Sequence, residues 1–312
     1  MKPFVHDDFL LQSKSARELY HRYAKAEPIY DYHCHLSPQQ IADNHAFTDL
    51  TEIWLGGDHY KWRTMRANGV PERFCTGDAS PREKFDAWCA TVPHTLGNPL
   101  YHWSHLELQR YFGIDQIINP ASADRIWQQA NEKLAGMRVH DILREKQVAV
   151  ICTTDDPADS LDAHVRIAAL GISTRVYPTF RPDKALGVDS PGTFNTWLEK
   201  LGAMTKLSIE TFDDLLTALK KRHDDFHAVG GRLSDHGLET ALAKPCTHTE
   251  AAAIFAGAYA GRAASRDEWV KYGSYLMLEF GRWDAAKGWT KQLHLGALRN
   301  NNTRLLNQLG PD

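Results

Sequence analysis

The stretch QVAVICTTDDP, residues 147–157, decides the fold class of this chain. It is a run of small and β-branched residues that ends in a polar turn. Such a run predicts a β-strand buried on both faces, which is typical of a parallel sheet covered by helices. The stretch DSLDAHVRIAAL (159–170) that follows it is predicted to be a helix.

Strands and helices alternate further along the chain, with helices predicted at 212–231 and 272–288. This alternation implies a parallel sheet with crossover helices, and we expect an α/β fold of the TIM-barrel type. Only five of the eight strands that a closed barrel needs are predicted, so we expect an incomplete barrel. These strands lie at residues 29–35, 147–154, 173–180, 231–235 and 290–296.

The segment between the first two strands, residues 37–147, carries helical patterns and no convincing strand. Its stretches PREKFDAWCATV (81–92) and ASADRIWQQANEKL (121–134) are predicted helices. We therefore expect three regions, namely an N-terminal helix and first strand (1–36), a helical insertion (37–147) and the remaining strands and helices (148–312).

Composition excludes several classes of function. With 43% hydrophobic and 24% charged residues among 312, the chain is expected to fold. A net charge of −3 provides no basic field for nucleic acid or an anionic membrane, and no apolar run approaches a membrane span. Five scattered cysteines are typical of reduced thiols, so we expect a cytoplasmic protein.

The first predicted strand leads into IYDYHCHLSP (29–38), in which His33 and His35 stand one residue apart. If both belonged to a strand, they would point to the same face and lie close enough to share one ion. Neutral imidazole is a good ligand for Zn²⁺ and related metals. Two hydrogen-bonded or exposed histidines remain an equal alternative for this motif alone, and Cys34 between them is expected to pack rather than ligate.

The segment GGDHYKWRTMRANG (56–69) crowds His59, Tyr60 and three cations together. In a helix, Tyr60 and His59 would each share a face with Arg63. Cations beside a tyrosine suit a carboxylated or polyhydroxylated ligand. A solvated basic helix face is the alternative, and spacing alone favours it.

Polar residues also follow the later strands. Arg181, in FRPD, is placed either to clamp an anionic substrate or to pair with Asp183. His294 lies on the last predicted strand and Arg299 in the loop after it, where the following asparagines are expected to form a turn. The acids at 155–156 are expected to cap the next helix rather than to serve a site.

Taken together, these motifs resemble the uronate isomerase (glucuronate isomerase) family of the amidohydrolase superfamily. The resemblance is carried along the chain by WLGGDHYKWRTMRANGV, CTGDAS, KFDAWCATVPHTLGNPLYHWSHLEL, TTDDP, FRPD and HLGALRNNN. It implies a metal-dependent barrel that interconverts D-glucuronate with D-fructuronate and D-galacturonate with D-tagaturonate. The partner would be a small hexuronate, and association into a homo-oligomer is left open.

The resemblance also implies roles for individual residues. His33 and His35 would hold a divalent metal, and His294 would be near or on it. We expect zinc, although the same ligand types suit Mn²⁺, Fe²⁺ or Co²⁺. Arg181 and Arg299 would bind the substrate carboxylate and hydroxyls, with Arg299 also in the catalytic set. His59 and Tyr60 would contact substrate and belong to the same catalytic set, in which Tyr60 would assist proton transfer. The sequence does not decide which group is the general base.

The sequence departs from the family at its end. The family's chains continue past LGPD (309–312) and carry an aspartate ligand on their final strand, followed by an arginine. We therefore expect a truncated chain with little or no activity by itself. The alternatives are a metal-dependent hydrolase on the same scaffold and a fragment that binds uronate without turning it over.

Overall fold

The structure, a computed structural model, describes residues 3–296 and 298–310 and divides into two compact units. The helical unit contains the residues up to Pro28 together with Asn44–Lys146. The sheet unit contains Ile29–Asp43 together with the residues from Gln147 onward. Among the described residues, no helix has the length and apolar character that crossing a membrane requires.

One sheet of five parallel strands forms the centre of the sheet unit, and its strands follow one another in chain order from edge to edge. The sheet curls into half of a barrel. This is seen from His33, just after the first strand, and His294, on the last strand, whose ring centres are 4.5 Å apart. The predicted α/β barrel-type fold with five strands is thereby confirmed. The strands are β1 (Ile29–Asp31), β2 (Val148–Asp155), β3 (Arg175–Phe180), β4 (Leu233–Leu238) and β5 (Thr290–Leu295).

β1 is shorter than predicted. It ends at Asp31 instead of residue 35, after a register irregularity between Ile29 and Tyr30. Beyond it the Cys34 N–H donates to the Cys152 carbonyl at 3.0 Å, so the chain stays beside β2 without a regular ladder. His33 and His35 therefore follow the strand instead of lying on it, so the predicted extent of β1 is wrong, although their ring centres do lie 5.0 Å apart.

β4 also differs from its prediction of 231–235. It begins at Leu233 and continues to Leu238, because it pairs with β5 as far as the Leu238–Leu295 position. The two glycines before it end the preceding helix, and Gly230 does so in the left-handed region, with φ of 103°.

The helices of the two units account for most of the remaining chain. The predicted helix at 272–288 begins earlier, at Arg266, because Ser265 and Glu268 form a capping box. The helices are α1 (Lys14–Leu19), α2 (Pro38–Ala42), α3 (Leu50–Leu55), α4 (His59–Ala67), α5 (Pro81–Thr91), α6 (Pro99–Phe112), α7 (Ala123–Leu134), α8 (Val139–Glu145), α9 (Asp162–Leu170), α10 (Pro191–Thr205), α11 (Phe212–Ala228), α12 (His248–Tyr259), α13 (Arg266–Lys287) and α14 (Thr303–Leu309).

The helical unit packs its helices around its own apolar core. Trp88 and Phe85 of α5 are fully buried there, with Leu108 of α6 and Ile126 of α7. Residues 44–146 contain one isolated β-bridge, between Ala46 and Arg138, and no regular strand. The prediction of a helical segment before β2 is confirmed, whereas the exact division at residues 36 and 147 stays a prediction.

The core of the sheet unit lies between the strands and the helices α10 to α13. Phe180, the last residue of β3, packs edge-to-face on Phe226 and Phe280, and all three side chains are fully buried. This burial fixes the carboxyl end of β3, where polar side chains gather.

The two acids at the carboxyl end of β2, Asp155 and Asp156, do not cap a helix, so that prediction is wrong. The N-cap of α9 is Leu161, which makes no side-chain capping bond. Asp155 is buried and accepts a hydrogen bond from the Thr153 hydroxyl at 2.6 Å. Asp156 instead accepts the Ala158 N–H and the Trp197 indole N–H, each at 2.8 Å, because the turn before α9 places it beside those donors.

Candidate functional site

Three side chains meet at the carboxyl ends of the strands of the sheet unit. They are His33 after β1, Asp235 on β4 and His294 on β5, and each offers one ligand atom within 4.8 Å of the others. His294 Nε2 lies 2.7 Å from one Asp235 carboxylate oxygen, and His33 Nδ1 lies 3.7 Å from the other. Two imidazoles and a carboxylate form a donor set that suits a divalent metal.

The burial and hydrogen bonding of these ligand atoms are suited to binding a cation. His33 Nδ1 is buried and, within the described part of the chain, has no hydrogen-bond partner, and Asp235 Oδ1 is buried with His294 Nε2 at 2.7 Å but outside hydrogen-bond geometry. Buried polar atoms are normally hydrogen-bonded, so these two unsatisfied atoms fit the binding of a further group such as a cation. Burial lowers the pKa of His33, although Asp235 opposes this, so the ring is neutral at pH 7 and able to ligate.

Asp235 was not among the predicted site residues. It lies in GRLSDHGLE, which the sequence marked only as a strand. The available signal was an acid next to a histidine within a predicted strand of a parallel sheet, and the side chain of this acid is fully buried in the structure. A buried acid needs a cationic partner or a metal, which identifies such a position as a candidate site residue.

His35 lies beside this group without belonging to it. Its ring centre is 5.0 Å from that of His33, in an edge-to-face arrangement, and its side chain is exposed. The three ligand atoms that converge come from His33, Asp235 and His294. The role of His35 as a metal ligand stays a prediction.

Arg181 follows β3 and contacts the same group. Its Nε donates to Asp183 at 3.0 Å, and its Nη1 donates to Asp235 at 2.9 Å. Of the two alternatives derived from sequence, the pairing with Asp183 is therefore present. Binding of the substrate carboxylate by Arg181 stays a prediction.

The loop after β5 carries Arg299, whose side chain is exposed. Asn300, next to it, lies in the left-handed region with φ of 56°, and the expected turn at these asparagines stays a prediction. Asn302 accepts the Leu305 N–H at 3.0 Å and thereby caps α14. The catalytic and binding roles of Arg299 stay predictions.

His59 and Tyr60 open α4 in the helical unit, where Asp58 caps the helix by accepting the N–H groups of residues 60 and 61. The Arg63 guanidinium lies 4.8 Å from the centre of the Tyr60 ring, so the expected shared helix face is present. Lys61 is buried against Asp58 and Glu107, at 3.2 Å from each. The segment is thus more than a solvated basic face, while contact of His59 and Tyr60 with substrate stays a prediction.

A cavity of about 440 Å³ opens beside the three converging side chains. Its volume falls in the usual range of small-molecule sites. It lies between the ends of the first and last strands, and its lining consists of Asp31, Tyr32, His33, Gln292, Leu293 and His294.

A curled parallel sheet with imidazoles and a carboxylate at the carboxyl ends of its strands defines a class, the barrel-type enzymes with a metal centre. Within that class, a model of the glucuronate isomerase family matches residues 1–312. The chain belongs to the glucuronate isomerase family.

Relatives of known name agree with this assignment. A uronate isomerase of Opitutus terrae is 73% identical over 312 residues, all of this chain and 66% of the relative, and one of Solibacter usitatus is 58% identical, over 99% of this chain and 67% of the relative. The crystal structure of the Thermotoga maritima uronate isomerase has a TM-score of 0.93 at 36% identity, covering 100% of this chain and 68% of that one. The chain spans about two thirds of the length of the curated relatives it matches.

Proposed function

We propose that this protein isomerises hexuronates, D-glucuronate to D-fructuronate and D-galacturonate to D-tagaturonate, at a divalent metal held by His33, Asp235 and His294. The observation that carries the proposal is the convergence of these three ligand atoms within 4.8 Å, in a chain matched throughout by the isomerase family. The family match favours isomerisation over hydrolysis and over binding without turnover.

The reaction itself sets what the site must do. Converting the aldose to the ketose moves one proton from C2 to C1 through an enediol, while the O2 hydroxyl proton is replaced by one on O1. A base near C2 and a stabiliser of negative charge at the carbonyl oxygen are both needed. The metal, when bound, would supply that positive charge and orient substrate oxygens.

The remaining residues are assigned by their chemistry. Arg299 carries a guanidinium on an exposed loop next to β5, and guanidinium groups bind carboxylates in a bidentate manner. It is therefore our candidate for holding the C6 carboxylate. Tyr60, which lies beside Arg63, is our candidate for assisting proton transfer, with His59 contacting the substrate hydroxyls.

Zinc is the metal we favour, since a set of two imidazoles and one carboxylate with room for substrate is common in catalytic zinc sites. The five cysteines are all free thiols, which fits a reducing compartment, so we place the protein in the cytoplasm. Self-association stays a prediction.

The test uses a chimera in which residues 1–312 of this chain replace the matching region of the Opitutus terrae relative. This chain covers 66% of that relative. With Zn²⁺ and D-glucuronate the chimera is expected to form D-fructuronate, followed by NMR. Asp235→Asn in the same chimera is expected to reduce product to the level without metal, because a neutral amide is a poor metal ligand. Asp156→Asn, a change of the same kind after β2, is expected to leave turnover close to that of the parent.

A chimera that folds and binds Zn²⁺ but forms no ketouronate, while the unmodified relative does, would contradict the proposal. Equal turnover in the Asp235→Asn chimera would refute the assigned metal centre. Assay of the 312-residue chain alone, in parallel, measures how much activity this portion has by itself.

A further inference from the structure

Lys61, in the first turn of α4, is a buried cation next to an exposed aromatic residue. Lys61 is 3% exposed, whereas Tyr60, directly before it, is 58% exposed. A lysine is almost never fully buried unless its charge is paired. Two consecutive residues of one helical turn thus lie in opposite environments, the interior of the helical unit and its surface.

The ammonium group of Lys61 has three partners. Its Nζ donates to Glu107 of α6 at 3.2 Å and lies 3.2 Å from Asp58, the N-cap residue of α4. It also lies 5.6 Å from the centre of the Trp54 ring of α3, within the range of a cation–π contact. Lys61 therefore connects the beginning of α4 to two other helices.

Asp58 links these charges to the backbone of α4. One of its oxygens accepts the N–H groups of Tyr60 and Lys61, each at 3.0 Å. Its other oxygen lies 3.2 Å from Lys61 Nζ. Because the same carboxylate caps the helix and binds the buried ammonium, the charge of Lys61 helps to orient the two amides at which α4 begins.

The loop before α4 contributes little rigidity of its own. Residues 56 and 57 are glycines, and both are exposed. A Cβ atom at Gly56 would lie 2.4 Å from the Glu52 carbonyl oxygen, so this close approach requires glycine. Since glycine leaves the backbone more conformational freedom than any other residue, the orientation of the first turn of α4 depends on the contacts of Asp58 and Lys61.

These charges are not arranged as a simple source of stability. Burial raises the pKa of Glu107, and the charge and hydrogen bond of Lys61 oppose that rise. Replacing a buried ion pair with apolar side chains of similar volume is often neutral or stabilising. In several proteins such pairs instead specify one arrangement of the parts that they join.

Two candidate substrate contacts belong to the turn that these charges hold. The ring centres of His59 and Tyr60 lie 4.4 Å apart. Arg63, one turn further along α4, donates from Nε to the His59 carbonyl at 3.3 Å, and its guanidinium lies 4.8 Å from the Tyr60 ring. The positions of both rings therefore depend on the orientation of the first turn.

We propose that Lys61, Asp58 and Glu107 are positioning residues, which form a buried ion cluster that fixes the first turn of α4 and thereby places His59 and Tyr60 for the isomerisation. The inference rests on the proposed function, in which His59 and Tyr60 contact the substrate. Glu107 lies 46 residues beyond Lys61 and acts only through it.

The first measurement is amide hydrogen exchange of the 312-residue chain, followed by mass spectrometry. We expect Glu107→Gln and Lys61→Met to exchange faster than the parent at residues 58–63, because the cap of α4 loses its support. Glu72→Gln is the matched control, since Glu72 pairs with Arg66 at 2.7 Å in the last turn of the same helix. It removes the same charge from the other end of α4 and should leave exchange at residues 58–63 unchanged.

The second measurement is turnover of D-glucuronate by the chimera described above, carrying the same substitutions. Misplacing a group in an active site by about 1 Å can reduce the rate roughly 100-fold. We expect Glu107→Gln to lower kcat/KM roughly 10-fold or more, with a raised KM. Partial unfolding would reduce the amount of active enzyme and lower the apparent kcat without changing KM, so the rise in KM distinguishes positioning from loss of fold.

Parent-like exchange at residues 58–63 in Glu107→Gln would overturn the inference, as would an equal increase in Glu72→Gln. If Lys61→Met fails to fold, the isosteric Glu107→Gln still decides. A parent-like KM in Glu107→Gln, in a chimera that converts D-glucuronate, would overturn the positioning role and leave the proposed function standing. A parent chimera that forms no ketouronate refutes the proposed function, and the positioning role with it.

Discussion

A buried hydroxyl joins an acid and a base beside β2. The Thr153 hydroxyl donates to Asp155 at 2.6 Å and lies 2.8 Å from His164 Nε2, and all three side chains are buried. Burial raises the pKa of Asp155 to about 6 and lowers that of His164 to about 4. Both groups are therefore neutral near pH 5 in the folded protein, whereas in the unfolded chain both would be charged.

These two shifts have opposite effects on stability. The folded state holds an extra proton on Asp155 between its unfolded pKa of 3.8 and about 6, so stability from this group falls as pH rises through that window. Between pH of about 4 and 6.5, the pKa values of His164 in the folded and unfolded states, the folded state lacks a proton that the unfolded state holds. The stability contributed by this group is therefore lost as pH falls through that window. In the parent protein the two contributions largely cancel.

Replacing His164 with Gln should reveal the pH-dependent contribution of Asp155 to the free energy of unfolding. Gln retains a donor for Thr153 but does not titrate. We expect the free energy of unfolding of His164→Gln, relative to the parent, to increase as pH falls from 6.5 to 4, with a slope of up to about 1.4 kcal/mol per pH unit. Urea unfolding at several pH values measures this, and parallel pH profiles for the two proteins would show the prediction to be wrong.

At the scale of secondary-structure elements, α13 is the longest described helix, with 22 residues from Arg266 to Lys287. Ser265 accepts the Glu268 N–H, and Glu268 in turn accepts from the Ser265 N–H and from Arg262. These bonds lower the pKa of Glu268 to about 2, so its carboxylate stays charged at the positive end of the helix. The capping box determines where this helix begins.

Ser265→Ala should therefore lower the stability of the protein by about 1 kcal/mol, the usual cost of losing an N-cap side chain. Ser190 is a matched control, because it is the N-cap residue of α10 without a side-chain capping bond. Chemical denaturation of both variants gives the comparison. A loss in Ser190→Ala as large as that in Ser265→Ala would argue against a specific role of the capping box.

At the scale of the whole sheet, residues far apart in sequence meet because the strands curl. Gln292 of β5 donates to the carbonyl of Tyr32 at 2.9 Å, and His33 and His294 lie side by side beyond it. The outer strands have exposed apolar side chains, among them Tyr30, with 60% of its surface accessible, and Leu295, with 54%. A metal ion bound here would connect the first and last strands of the sheet.

We accordingly expect Zn²⁺ to stabilise the chain against heating. Binding to the folded state alone adds about 2.7 kcal/mol when free metal is 100 times the dissociation constant. His294→Asn should lose most of this gain, whereas His248→Asn, which removes an exposed histidine that pairs with Asp213, should keep it. Thermal scans with and without Zn²⁺ measure the shift, and an equal shift in His294→Asn would exclude His294 as a ligand.

The sequence by itself determined the elements that local patterns encode. The buried run at Val148–Asp155 and the turns after it predicted the parallel sheet, and the periodic segments before it predicted the helices. The set of motifs also identified the family, which the match over residues 1–312 confirms. These features depend on neighbours a few residues apart, so a linear reading is sufficient for them.

Only the tertiary structure decided which polar groups meet. It ended β1 before His33, brought Asp235 into the site, and turned Arg181 toward two acids. Apart from the local pairing of Arg181 with Asp183, these outcomes depend on how strands separated by 54 residues or more pair and curl. Such long-range geometry leaves no periodic trace in the sequence around any one residue, because it arises from packing of the whole sheet.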